Sequence, residues 1–492
     1  MLRPSDVLVP TLFTSWLRNR TATLPGGAEL TFREAVVPWP APVQHQSALA
    51  LVPGLLRRSE VAAILALVND TALPLDTDPD SVDGMPSHEF FMNSKGKEDT
   101  EGTEDSDPVI RSRRQPVRDA LQALVQPIIE ERILPFVVHR YPEFCATGLP
   151  KRVCRPCTSL IRRYHPGDRM RHNVHRDGEA LVTMVISLSD YEREYRGGLY
   201  VSNGKQRQVL PLSRGDAVFH QSDLMHGVSV EEREEGGKRF PSERWSWILW
   251  LRDHEDCTSH AYEWSKACAE EGSDALCQYM QAWRIHLNPR FHMPLNPSLG
   301  VVALEEARTM WMTRAAEGGF AEAMFKVGWA LFAKKDEEGA VGWLRRAREA
   351  GDADACYALA WRLAVNATSP SSEAAYGAVK LLEEAARFGA SPYGGATKAM
   401  FNLGVAHLYG YGVDARDPSL AVEWLRHSGL PEGLFYVAVS LNARGDTEGS
   451  AVWDARARRL GFDSDSRKMS KNAGFPLHIW PTTGSEGGPL AL

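Results

Sequence analysis

The spacing of apolar positions changes twice along the chain, and each change predicts a different architecture. Val61, Ile64, Leu65 and Val68 recur at helical intervals behind Ser59, a plausible cap, so a short helix is expected there. Val117, Leu121, Leu124, Ile128, Ile129 and Ile133 repeat the pattern and predict a longer helix over 115–138. From Thr158 to Leu251 the period shortens to that of strands. The runs are Thr158 to Tyr164, Leu181 to Leu188, Leu199 to Ser202, Gln208 to Leu212, Ala217 to His220, Met225 to Val230 and Trp245 to Leu251. Gly197-Gly198, Asn203-Gly204 and Arg214-Gly215-Asp216 punctuate them as turns. Strands at this spacing predict a sandwich or barrel, and their number suits a double-sheet jelly roll.

Beyond Ser265 the pattern turns helical and repeats itself. The run from Ala315 to Ala323 is echoed from Ala347 to Ala355, again at Lys398 to Gly404, and weakly at Glu432 to Ala438. A degenerate earlier copy starts at Ala269. Anchor alanines 323, 355 and 399 stand 32 and 44 residues apart, a period that predicts a solenoid of stacked helix pairs. Small residues allow close helix approach there, and Trp329, Trp343, Trp361 and Trp424 are expected to fill the gaps. Pro38, Pro40 and Pro42 mark residues 1–45 as an N-terminal arm. Residues 72–108, with the acidic stretch from Glu98 to Asp107, read as a surface loop, and 461–492 as a Gly/Ser/Pro-rich flexible tail. The expected division is therefore arm 1–45, chemistry-bearing domain 46–256, helical repeats 265–460 and tail 461–492. The fold class is multidomain α+β: a double-stranded β-helix, or jelly roll, with flanking helices, then an all-α solenoid.

The chain's 492 residues exceed what one core organises, in line with that division. A net charge of −7 argues against a nucleic-acid partner, and no apolar run is long enough to span a membrane. Seven cysteines, an odd and sparse set, point to a reducing compartment, cytoplasmic or nuclear; a weak apolar stretch at Val7 to Leu17 leaves secretory entry open. In a secretory setting alone would Asn69-Asp70-Thr71 and Asn366-Ala367-Thr368 matter as glycan acceptors. Cys154-Arg155-Pro156-Cys157 lacks the second pair that a zinc site needs.

The candidate chemistry begins with His175-Arg176-Asp177. On a strand, residues two apart project to one side, so the imidazole and carboxylate could share a metal. A second histidine from Leu224-Met225-His226-Gly227-Val228 would complete two histidines and one carboxylate, the facial set of non-haem iron oxygenases. His220 is the rival for that place; His172, without an acidic partner two residues on, reads as a loop residue. In Arg244-Trp245-Ser246-Trp247, Arg244 and Ser246 alternate against tryptophans, and the pair suits the grip of a carboxylate. Arg239 and Lys238 compete for that role.

These elements together resemble the prolyl-4-hydroxylase-like branch of the 2-oxoglutarate/iron(II) dioxygenases. The likeness is carried by Arg163-Tyr164-His165-Pro166-Gly167, His175-Arg176-Asp177, Val185-Ile186-Ser187-Leu188, Gly197-Gly198-Leu199-Tyr200, Gly215-Asp216-Ala217, His226-Gly227-Val228 and Arg244-Trp245-Ser246. It implies that His175, Asp177 and His226 are catalytic and bind Fe(II), and that Arg244, with Ser246 and Tyr164, binds 2-oxoglutarate. It also implies O2 as cosubstrate, ascorbate as an auxiliary reductant, and hydroxylation of a C–H bond coupled to decarboxylation to succinate. Asp177 argues against halogenation, for which related enzymes carry a small residue at this place. The intervals from Gly167 to His175 and from His226 to Arg244 are longer than the family pattern, the second by a polar insertion at Glu231 to Pro241. The repeats resemble Sel-one-like, tetratricopeptide-like modules, best in the copy from Ala399 to Leu425, which implies a protein partner or substrate bound through them. The expected activity is hydroxylation of a peptide or protein side chain, with proline a candidate. The alternatives are an inactive barrel serving as a repeat-based scaffold and an oxygenase of a small metabolite or nucleic acid.

Overall fold

The computed structural model describes residues 17–69, 80–94, 108–145, 154–252, 268–287 and 301–462, apart from short breaks within these spans, together with positions 3, 11–12, 75 and 257. The acidic stretch at 98–107 and most of the tail lie outside the described residues. The strands in chain order are β1 (Thr11–Leu12), β2 (Arg18–Thr23), β3 (Glu29–Pro38), β4 (Gln46–Val52), β5 (His88–Ser94), β6 (Arg155–Tyr164), β7 (Arg171–His175) and β8 (Val182–Ser187). They continue with β9 (Gly197–Ser202), β10 (Arg207–Val209), β11 (Ala217–Gln221), β12 (Met225–Val230), β13 (Glu234–Glu235), β14 (Lys238–Arg239) and β15 (Arg244–Arg252).

Two sheets organise the first half. The larger runs β2-β3-β4-β11-β8-β15-β6-β5 and the smaller β1-β10-β9-β12-β7. They face one another: Leu49, Tyr164, Val185 and Val218 of the larger sheet share one buried cluster with Leu199, Val201 and Val228 of the smaller. Along the smaller sheet the alternation is clean. Leu199, Val201, His226 and Val228 turn inward, while Tyr200, Val174 and Met225 turn outward. The outer face of the larger sheet is covered by helices Arg58–Val68, Pro108–Ile128 and Leu134–Arg140, through Val61, Ile64, Leu121, Val125 and Phe136 against Ile161, Ile186, Phe219 and Trp247. Covered on both sides, β8 is buried at all six positions, which accounts for its continuous rather than alternating apolar pattern. The long helix relaxes into a π turn at Ile129–Ile133, just after Pro127, whose missing N–H interrupts the regular ladder.

The second half stacks five antiparallel helix pairs among the described residues: Ala275–Leu287 with Val301–Glu317, Ala321–Ala333 with Glu337–Glu349, Ala353–Val365 with Glu373–Phe388, Gly395–Tyr409 with Pro418–Ser428, and Pro431–Ala443 with Thr447–Arg459. Ala323, Ala355 and Ala399 are fully buried at the crossings, as their size predicts, and Trp424 is fully buried between pairs. The stack packs on the outer face of the smaller sheet, where Val174, Tyr200, Val209 and Met225 join one apolar cluster with Leu276, Tyr279 and Phe320. The layers thus run helices, large sheet, small sheet, solenoid.

Four expectations are corrected. The stretch read as an arm adds β2 and β3 to the large sheet, because Ala22, Phe32, Ala35 and Val37 supply buried positions that the proline count obscured. The stretch read as a loop contains β5, which pairs with β6, and also carries Asp80 and Asp83 into the interior. His172 is not a loop residue; it lies in β7 and is 2% exposed. Finally, the cysteines pair as Cys145–Cys154, Cys157–Cys257 and Cys268–Cys277, leaving Cys356 alone and buried. Cys154 and Cys157 therefore belong to different disulfides, and the odd count that suggested a reducing compartment is three pairs and one core residue.

Candidate metal centre and anion pocket

β7 and β12 are antiparallel neighbours, and their register sets His175 directly opposite His226, with ring centroids 4.5 Å apart. The register slips between His226 and Val228, where Gly227 lies under Tyr200: a Cβ there would stand 2.5 Å from the Tyr200 hydroxyl and 2.9 Å from the His172 carbonyl. Only glycine fits that approach. Asp177 joins the pair by a route the two-residue strand argument did not foresee. β7 ends at His175, and the chain bends so that Asp177 turns back beside it. His175 Nε2 is 3.4 Å from Asp177 Oδ1, and His226 Nε2 is 3.4 Å from Asp177 Oδ2. One atom from each of the three lies within 4.8 Å of the others, a grouping able to hold a metal ion.

The surroundings prepare these atoms as ligands. His175 Nδ1 donates to the Asn173 carbonyl at 2.8 Å and His226 Nδ1 to the Leu224 carbonyl at 3.2 Å. A carbonyl can only accept, so each ring carries a proton on Nδ1, and its Nε2 faces inward toward Asp177. Burial pushes His226 well below the ordinary imidazole range, against the pull of Asp177, which keeps the ring neutral. Burial opposes ionisation of Asp177, yet the adjoining His226 and His175 outweigh it and hold the carboxyl well below its usual range. Thr183 Oγ1 donates to Asp177 Oδ2 at 2.6 Å and fixes its rotation. A divalent cation requires an ionised carboxylate and imidazoles free of a proton on Nε2, and the directions at Asp177 and His226 suit that requirement.

The rival His220 is also present. Its ring centroid is 4.4 Å from that of His226, and its Nδ1 meets the Gln221 carbonyl at 2.9 Å. It stays outside the three-ligand grouping and lines the site from the large sheet. On the other side His172, 4.3 Å from the His175 ring, donates Nε2–H to Asp80 at 3.0 Å. Burial would neutralise Asp80, but His172, Arg162 and Arg169 around it keep the carboxyl far below its usual range. Sequence reasoning missed this buried support because Asp80 stands ninety-two positions from its histidine in an unpatterned stretch.

Arg244 opens β15, opposite Tyr164 in register, and is 1% exposed. Its side chain crosses the interior to the small sheet, where a Cβ on Gly198 would stand 3.3 Å from its Cδ and Nε; Gly198, at φ +90°, leaves the room. Arg244 Nη1 donates to Ser246 Oγ at 3.3 Å, while Nε and Nη2 have no hydrogen-bond partner among the described residues. The guanidinium carbon is 5.8 Å from the Tyr164 ring and 5.6 Å from that of Tyr195, a residue that sequence reasoning did not single out. The Tyr195 hydroxyl donates to the Leu212 carbonyl at 2.7 Å. A buried guanidinium with open donors and no carboxylate within ion-pair distance among the described residues is costly unless an anion completes it. The competing Lys238 and Arg239 lie instead in the small β13–β14 hairpin, paired in register with Glu235 and Glu234. In the β9–β12 register His226 faces Val201, three residues from Gly198, so the open guanidinium stands roughly 10 Å along the strand from the candidate ligands.

With this geometry in view, the chain can be set beside known proteins. Residues 321–352 and 397–426 match the Sel1 repeat. These are the second and fourth helix pairs. No curated protein matches the sequence. Among solved structures, an oxidoreductase of the 2OG-Fe(II) oxygenase family from Burkholderia pseudomallei is similar at 15% identity and a TM-score of 0.29, over 42% of this chain and 86% of that one. The viral collagen prolyl hydroxylase of Paramecium Bursaria Chlorella virus-1, in complex with 2OG, is similar at 13% identity and a TM-score of 0.25, over 42% and 96%. HygX from Streptomyces hygroscopicus, with nickel and 2-oxoglutarate bound, is similar at 13% identity and a TM-score of 0.24, over 42% and 82%.

Proposed function

We propose that this chain is an iron(II)- and 2-oxoglutarate-dependent oxygenase built on a jelly-roll barrel, hydroxylating a peptide or protein side chain. His175, Asp177 and His226 would hold the iron, leaving positions free for cosubstrate and oxygen. Arg244, with Ser246 and Tyr164, would hold the distal carboxylate of 2-oxoglutarate. Iron with 2-oxoglutarate and O2 supplies oxidative hydroxylation of a C–H bond coupled to decarboxylation to succinate. The protein's own contribution is to fix three ligands in one protonation state, to keep water from the interior through Val185, Leu199 and Val228, and to orient the five-carbon diacid between two poles. The observation that carries the reading is this two-pole interior: three converging ligands at one end and an unsatisfied guanidinium at the other. The proposed substrate class rests on the helical repeats docked beside the barrel, with proline as the first residue to test.

Purified protein supplied with Fe(II), ascorbate and 2-oxoglutarate is expected to release succinate slowly without substrate. His175→Ala and His226→Ala are each expected to reduce that release at least about a hundredfold, the usual consequence of losing a metal ligand or its support. Succinate release from both variants at the parent rate contradicts the assignment. We further infer from the three disulfides that the protein matures in an oxidising compartment. Material from such a compartment, denatured without reductant, should show one reactive thiol, Cys356; finding seven refutes this.

A further inference from the structure

The residue between the two candidate ligands of one turn does not face the metal. Arg176 points the other way, through the small sheet and into the solenoid, and its side chain is 3% exposed. There its Nη1 donates to Glu322 Oε2 at 2.7 Å, and the buried Glu322 also accepts from the Tyr279 hydroxyl. The guanidinium carbon lies 5.3 Å from the Tyr279 ring, 5.5 Å from that of Trp39 and 5.8 Å from that of Phe320. Tyr279 and Phe320 come from the repeat stack and Trp39 from the barrel, so aromatic groups of both halves enclose one ion pair.

The position of Glu322 in the repeat is informative. It immediately precedes the anchor Ala323, and the equivalent residues of the later copies are Asp354, Lys398 and Glu432. All four are buried, at 6%, 1%, 6% and 1% exposure. Titratable side chains therefore recur at one buried position along the stack. Arg176 reaches the first of these, Glu322, from the barrel. The same side chain also reaches the second ligand-bearing segment. Arg176 Nε donates to the Asp223 carbonyl at 3.2 Å, in the turn whose next carbonyl, Leu224, fixes the His226 ring. One guanidinium thereby ties the turn that bears His175 and Asp177, the turn that leads to His226, and the first matched repeat.

We propose that the repeat stack is a positioning element of the metal centre, acting through the Arg176–Glu322 pair, rather than a module merely appended to the barrel. This rests on the metal reading above. Neither residue touches the metal; they hold the two turns whose spacing sets the ligand triangle. The test is Co(II) binding to the full chain, by calorimetry and by the visible absorption of the bound ion, in parent, Glu322→Gln, Glu322→Ala and Arg348→Gln. Arg348 pairs with Glu384 between two repeat helices, away from the barrel, and serves as control. Glu322→Ala is expected to weaken Co(II) about 10- to 100-fold, the range for supports behind metal ligands, and to alter the absorption band. Glu322→Gln, which preserves volume and a hydrogen-bond acceptor, is expected to recover part of the affinity; it also carries the test should the alanine variant not fold. Arg348→Gln is expected to bind Co(II) within twofold of the parent. Glutamine and alanine variants that fold and bind Co(II) with parental affinity and spectrum overturn the proposal, as does an equal loss in Arg348→Gln. A parent chain that binds no Co(II) overturns the metal reading itself, a distinguishable failure.

Discussion

The solenoid and the two-sheet half differ in how they hold particular buried polar groups. In the solenoid, buried Asp352 and Asp354 are answered by close neighbours. Asp352 caps its helix by accepting from the Ala355 amide at 2.7 Å, and Asp354 accepts from Ser391 at 2.6 Å and from the Gly395 amide at 2.8 Å. Between the two sheets, two Nε2 atoms and a carboxylate converge within 4.8 Å of one another, and Arg244 Nε and Nη2 have no hydrogen-bond partner among the described residues. Folding alone does not reward such an interior. Satisfied groups such as Asp352 and Asp354 specify register, whereas groups that converge unsatisfied on one interior space are arranged as a ligand site would be.

That contrast can be broken most sharply at Arg244. Arg244→Met is expected to cost about 3 kcal/mol of 2-oxoglutarate binding, or about a hundredfold in affinity, by removing a charge-assisted pair. The same change should leave Co(II) affinity near parental and raise the melting temperature of the ligand-free protein, since a buried, uncompensated charge is gone. Calorimetry with 2-oxoglutarate on the Co(II)-loaded protein and a thermal melt without ligand give both answers. A lower melting temperature would mean that Arg244 is already satisfied, as Asp354 is.

A smaller effect of opposite kind is expected in the stack. Ser391→Ala removes a donor from buried Asp354 and should lower unfolding stability by about 1–3 kcal/mol in denaturant titration, with unchanged metal affinity. Smaller still is the acid response of the metal-free protein. His172, His220 and His226 are pushed below the ordinary imidazole value chiefly by burial. The unfolded chain therefore takes up protons that the fold resists, so the stability these neutral rings allow is present above about pH 6.5 and declines as pH falls below it. Melts between pH 7.5 and 5.5 should show that decline; a melting temperature that rises toward pH 5.5 would contradict it.

Much of this was legible in the residues, for reasons of range. The solenoid announces itself because each contact is made by a neighbour in sequence, so Ala323, Ala355 and Ala399 repeat at a visible period. His175, Asp177 and His226 stood out through their spacing and family likeness, and the structure brings them together, although Asp177 arrives by a bend instead of a strand face. What the sequence concealed is long-range. β2 and β3 join a sheet whose other strands lie far along the chain, Asp80 meets His172 across an irregular stretch, and Cys157 meets Cys257 one hundred residues away. None of these leaves a periodic trace. Arg176 is the plainest case: inside a recognisable motif it looks incidental, and only the packing of the two halves gives it a partner in Glu322.

The most direct test of the central claim is a crystal of the full chain soaked anaerobically with Co(II) and 2-oxoglutarate, with anomalous scattering recorded at the cobalt edge. The account predicts one strong peak bonded to His175 Nε2, Asp177 and His226 Nε2, and diacid density running from it to Arg244. A peak elsewhere, or these three side chains left without metal at saturating Co(II), contradicts it.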